Sequence, residues 1–183
     1  MTTKLNTMNK NIKHEFEALE KSRTELFAKL DKLDASKMNK QPDASSWSVV
    51  QVMDHLIQAE TNSVMYISKK LSFNPDLKKA NFNTHFRMFL LKAALTLPMK
   101  WKAPKIIAVA NNDKSYVEAK AAWATVRNNL SDLLEKFPEE HLQAELFKHP
   151  MAGKFTIVQA VSFMHTHFNH HLKQIERINA VVQ

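Results

Sequence analysis

The sequence predicts an all-α fold: a four-helix bundle with a long connection that carries a short extra helix. Its 183 residues contain one glycine, Gly153, whereas tight β-hairpins usually rely on glycine for their turns. Apolar residues recur at three- and four-residue steps along four long stretches, the pattern of helices that each bury one face. Hydrophobic residues make up 44% of the chain, enough at this length for a single core, so residues 1–183 read as one domain.

The first helix is expected from about Asn9 to Leu33, with Ile12, Phe16, Leu19, Leu26 and Leu30 on its inner face. A polar turn with Pro42 follows. Ser48-Val-Val-Gln51 fits a capping box, in which serine caps the third amide of the helix and glutamine reaches back. The second helix then runs to about Leu71 through Val52, Leu56, Ala59, Ser63 and Ile67, with Trp47 placed to staple its entry. Residues 72–114 read as an insertion or a long crossover, divided by Pro75, Pro98 and Pro104. Within them a short amphipathic helix is expected over Asn83 to Leu97, with Phe86, Phe89, Leu90 and Ala93 closing onto the core. A connection this long exceeds what adjacent up-down helices need, and such loops often act as lids. The third long helix spans about Ser115 to Phe137, with Val117, Ala121, Ala124, Leu130 and Leu134 as its apolar positions. After a connector with Pro150 and Gly153, Thr156-Ile-Val-Gln159 repeats the capping box and opens the fourth, reaching about Ala180.

Composition excludes several functions. A phosphate-cradling loop or dinucleotide fingerprint needs several glycines. The chain has no cysteine, so disulfides, thiolate ligands and a cysteine nucleophile are impossible, and any metal must take nitrogen or oxygen ligands. The polar N-terminus lacks the apolar segment of a secretory signal. The apolar run from Met88 to Met99 is broken by Lys92 and Pro98 and is too short to span a bilayer, so a cytoplasmic protein is expected. The net charge of +8 is local: residues 69–105 carry nine Lys/Arg against one acid, Asp76.

Chemistry concentrates in three histidines. His167 and His171 are four residues apart, about 400° around a helix and about 6 Å along it, so they point nearly the same way. They align with Ala160, Met164 and Ile178, and His55 lies between Val52 and Ala59 on the inner face of its helix. If those two helices are neighbours, the three imidazoles can converge and share one ion, with Zn–N bonds of about 2.0–2.1 Å and coordination positions left open. A lone pair of histidines at this spacing is weak evidence, because a buried histidine can satisfy itself with a carbonyl, and His165 and His170 point elsewhere. Three imidazoles in place of core hydrophobes, however, lose solvation that packing does not return. An inward cluster therefore points to function.

Trp47-Ser-Val-Val-Gln-Val-Met-Asp-His55-Leu, then Pro150-Met-Ala-Gly153-Lys-Phe-Thr-Ile-Val-Gln-Ala and His167-Phe-Asn-His-His171-Leu-Lys-Gln174-Ile, resemble the DinB/YfiT-like superfamily over Asn9 to Ile178 apart from the basic insertion. The resemblance implies a four-helix bundle with a divalent metal (nickel, zinc, iron or manganese) on His55, His167 and His171. It also implies homodimer formation through long helices. Members of this superfamily include metal-dependent transferases that use low-molecular-weight thiols, a thiol-dependent isomerase, and proteins classed as metal-dependent hydrolases. A three-histidine metal can lower the pKa of a bound thiol or water, and without cysteine the thiol would have to be a cosubstrate.

The leading expectation is thus a metal-dependent enzyme of the thiol-dependent S-transferase or hydrolase type, acting on a small molecule. No general base stands out: Asp54 lies about 100° around the helix from His55, and Glu60 reads as solvated on another face. Gln58, Ser63 and Gln174 are the candidates to line the substrate site. One alternative is a non-catalytic bundle that binds metal or a small ligand. Another is binding of an anionic surface or nucleic acid through residues 69–105, disfavoured because the charge is local. The basic residues Lys78, Lys79, Arg87, Lys100, Lys102 and Lys105 could also steer an anionic cosubstrate, although a solvated surface accounts for them as well.

Overall fold

The computed structural model describes residues 8–73, 76–97 and 112–182. It contains helices α1 (Lys10–Leu30), α2 (Val49–Ser72), α3 (Phe82–Thr96), α4 (Tyr116–Glu135) and α5 (Ile157–Val182), with a small antiparallel hairpin of β1 (Phe147–His149) and β2 (Gly153–Phe155) before α5. Both expected capping boxes form. Ser48 Oγ accepts from the Gln51 amide at 3.1 Å while the Ser48 amide donates to Gln51 Oε1 at 2.9 Å. Thr156 and Gln159 exchange the same pair of bonds. Two further boxes, at Asn81/Thr84 and Ser115/Glu118, start α3 and α4.

The four long helices close a ring in the order α1, α5, α2, α4. Contacts between side chains fix their directions. Asp31 at the end of α1 accepts from Tyr116 and Lys120 at the start of α4, and Glu20 meets Arg127 farther along, so α1 and α4 are antiparallel. Asp54 meets Lys114 and Glu60 meets Arg127, which makes α2 and α4 parallel. Ser22 bonds His165 and Lys29 pairs with Glu176, so α1 and α5 are parallel. It follows that α2 and α5 run in opposite directions. Because α2 and α4 are parallel neighbours, the chain between them has to return along the length of the bundle. The long 72–114 connection is therefore a crossover.

On α1, α2 and α5 the buried faces are the expected ones: Ile12, Phe16 and Leu19; Val52, Leu56 and Ile67; Val161, Met164 and Phe168. On α4 the expectation is corrected. Val117 is 70% exposed, and the buried stripe is Tyr116, Ala119, Trp123, Val126, Leu130 and Leu134. The indole and Arg127, which share that stripe, reach a buried carboxylate, so a polar contact sets the rotation of the helix.

The short helix departs further from expectation. Its aromatics do not close the core: Phe82 is 79% and Phe89 66% exposed, and Phe86 and Leu90 also face solvent. The inward side packs Met88 and Leu91 on the core and makes several polar contacts. Thr84 and Arg87 both donate to Glu145, Lys92 Nζ donates to Ser162 Oγ at 2.6 Å, and the Leu95 carbonyl bonds His170. The hairpin lies where only a connector was expected. Gly153 there has φ +87°, a conformation L side chains resist, and a Cβ would meet Arg87 Nε at 3.2 Å. Among the described residues no helix is long and apolar enough to cross a membrane. Lys100, Lys102 and Lys105 lie outside the described residues.

Candidate metal centre

The Ser48 cap fixes where α2 begins and so places His55 two turns in, facing α5 between buried Val52 and Leu56. The Thr156 cap sets α5 in the same way, and His167 and His171 follow Met164 and Phe168 on the turn that meets α2. All three imidazoles come together at this antiparallel seam. His55 Nε2 lies 3.3 Å from His167 Nε2, and His171 Nε2 lies 3.2 Å from the same atom. One ring nitrogen from each residue falls within 4.8 Å of the other two. The arrangement needs both helices, since nothing on either alone supplies three ligands.

The spacing fits an ion. Two nitrogens bound to zinc at about 2.0–2.1 Å with a tetrahedral angle lie about 3.3–3.4 Å apart. Ring chemistry fits as well. His171 Nδ1–H donates to Gln174 Oε1 at 2.8 Å, which leaves the Nε2 lone pair directed at the cluster. Burial holds the His167 imidazole well below its usual pKa, and the neighbouring His171 and His55 add to the shift. His171 is pushed down to about 3 by burial first and His55 next, with Gln174 opposing. The two therefore stay neutral, the state in which imidazole binds metal. Trp47, expected only as a staple, sits with its ring 5.4 Å from His55 and forms one wall. Phe163 stacks on His167 at 5.5 Å and 14° and forms another. Phe163 is one turn before His167, so the same four-residue spacing that links the histidines also marks it.

Of the three residues expected to line substrate, only Gln174 touches the cluster. Gln58 is exposed and donates to Asp54, and the Ser63 hydroxyl donates to the Ala59 carbonyl at 2.8 Å. His165 and His170 point away, to Ser22 and to the Leu95 carbonyl. Asp54 is fully buried and pairs with Lys114, a partner that sequence spacing cannot reveal. Glu60 is not solvated as expected. It is 3% exposed and accepts from Arg127 Nε at 2.6 Å, Arg127 Nη2 at 2.8 Å and Trp123 Nε1 at 3.0 Å. A buried guanidinium and an indole satisfy the charge that would otherwise require water.

Two parallel helix pairs with three imidazoles across their antiparallel seam define a helical bundle with a candidate metal centre. Residues 18–175 match the DinB superfamily, and the chain belongs to it. It is similar to the uncharacterized protein YuaE of Bacillus subtilis (strain 168), with 25% identity over 162 residues that cover 88% of this chain and 95% of YuaE. Among solved structures it is similar to YfiT from Bacillus subtilis, described as a probable metal-dependent hydrolase with an unusual four-helix bundle topology. That match has a TM-score of 0.54 and 17% identity, over 94% of this chain and 89% of YfiT.

Proposed function

We propose that this chain is a divalent-metal-dependent enzyme whose ion is held by His55, His167 and His171, and that it acts as a hydrolase on a small-molecule substrate. The observation that carries this reading is the approach of His55 Nε2 and His171 Nε2 to His167 Nε2, with the His167 and His171 rings kept neutral by burial. The description of YfiT as a probable metal-dependent hydrolase supports the same class. A bound divalent ion supplies Lewis acidity, which lowers the pKa of a coordinated water or thiol. Gln174 orients the His171 ring, and Trp47 and Phe163 shield the imidazoles from bulk water. Gln58 and Ser63 are hydrogen-bonded to Asp54 and to the Ala59 carbonyl, so Gln174 is the lining candidate that the contacts support.

A thiol S-transferase would use the same centre. The chain has no cysteine, so its thiol must arrive as a cosubstrate, and dependence of turnover on added thiol separates the two chemistries. The test begins with elemental analysis of untagged protein beside a His55→Ala/His167→Ala/His171→Ala variant. Near-stoichiometric nickel, zinc, iron or manganese in the unaltered protein alone is the expected result. Equal metal content in both would sink the assignment. Metal retained by the unaltered protein, with no turnover of any ester, amide or thiol acceptor, would make the chain a metal-binding bundle and not an enzyme.

A further inference from the structure

Helix α3 is apolar on more than one side, with Met88 and Leu91 packed on the core and a second apolar stripe facing out. Thr84, Arg87 and Lys92 are tied to Glu145 and Ser162, and the buried Met88 adds an apolar anchor. The outward stripe runs Phe82, Phe86, Phe89 and Leu90 along one side of the helix and continues to Leu97 at its C-terminal cap, and Phe82 stacks on Phe86 at 6.2 Å. A surface helix of a globular domain normally keeps its outward face polar. Among the described residues, neither the bundle nor the histidine cluster covers this face. Immediately before it stand exposed Lys78 and Lys79, held in place because the flanking backbone bonds Gln143 and Glu145.

We propose that this face docks on an anionic lipid surface, with α3 lying flat in the headgroup region. A helix of 15 residues with an aromatic stripe and flanking lysines is suited to that plane, where phenylalanines enter the acyl boundary and ammonium groups meet phosphate. Charge decides against the other occupants. Two copies meeting α3 to α3 would bring the exposed Lys78 and Lys79 of each together beside the apolar stripe, and like charges across an interface are penalised. Nucleic acid is read and held mainly by donors on phosphate and base edges, whereas this stripe offers carbon. The proposal is independent of the metal reading, since no residue of the histidine cluster lies on this face.

The test is co-sedimentation of the full chain with phosphatidylcholine vesicles, with and without phosphatidylglycerol. Binding is expected only with the anionic lipid, weakening as salt rises, and falling about tenfold or more in Phe82→Glu/Phe89→Glu. Lys78→Glu/Lys79→Glu should weaken it too. These side chains are exposed, so circular dichroism and Tm should match the unaltered protein. Absence of vesicle binding overturns the proposal. A dimer in light scattering that the phenylalanine variant splits would assign the face to a second copy. Oligonucleotide binding that survives the phenylalanine changes but not the lysine changes would assign the segment to nucleic acid. A lowered Tm in a monomeric variant that binds no vesicle would show that the face is packed within the chain and overturn the proposal.

Discussion

His171 offers the cluster one nitrogen because Gln174 occupies the other. Were Nδ1 released, the ring could take either tautomer, and one of them points a proton at the position where a lone pair is needed. Gln174→Leu should therefore weaken zinc or nickel affinity about 10- to 100-fold, the range typical of losing such a support, with helical content unchanged. Competition titration against a chromophoric chelator measures this, and an unchanged affinity would show that packing alone sets the ring. The three histidines were legible in the sequence because spacing along a helix determines direction. Glu60 was not. A carboxylate on a mixed face reads as solvated, and what buries it is Arg127, 67 residues away, which no local pattern can nominate.

At the scale of elements, that same arginine joins three helices: Glu20 on α1, Glu60 on α2 and its own α4. Burial pulls its pKa down, and the two carboxylates more than offset this, leaving it raised. Arg127→Ala would strand Glu60 beside Trp123 with no countercharge and should cost about 3–5 kcal/mol of stability. Restoring neutrality with Glu60→Gln/Arg127→Met should recover much of the loss. Urea denaturation of the two variants distinguishes a required ion pair from one merely tolerated. Element identities followed from period and caps, so α1, α2 and α5 matched within a few residues. The faces of α3 and α4 did not. On α4 the polar anchor Arg127 shares the buried stripe with Trp123, and on α3 Thr84, Arg87 and Lys92 face inward while phenylalanines face out. Apolar periodicity finds the stripe but not which side the body will take. The hairpin escaped because strands of three residues carry no usable alternation.

For the whole molecule, the histidine seam joins antiparallel helices that belong to different parallel pairs, α2 with α4 and α5 with α1. An ion bridging His55 to His167 and His171 would thus bind the folded bundle and have no such site in the unfolded chain. By mass action it should stabilise the fold by about 2.7 kcal/mol at a hundredfold excess over Kd, roughly a 5–10 °C rise in Tm at this size. Protons oppose it. Unfolded histidines take up protons near pH 6.5, while folded His171 resists until about 3. As pH falls below about 6.5, the unfolded state gains protons that the folded state refuses, so metal-free stability declines toward pH 3 and is level above 6.5. The metal increment should shrink over the same descent, since the ion needs neutral rings. Scanning calorimetry from pH 8 to pH 5, with and without metal, reads both effects. In the triple-alanine variant the metal-induced rise should vanish and the acid slope should flatten. A rise that persists there would place the stabilising ion elsewhere on the bundle.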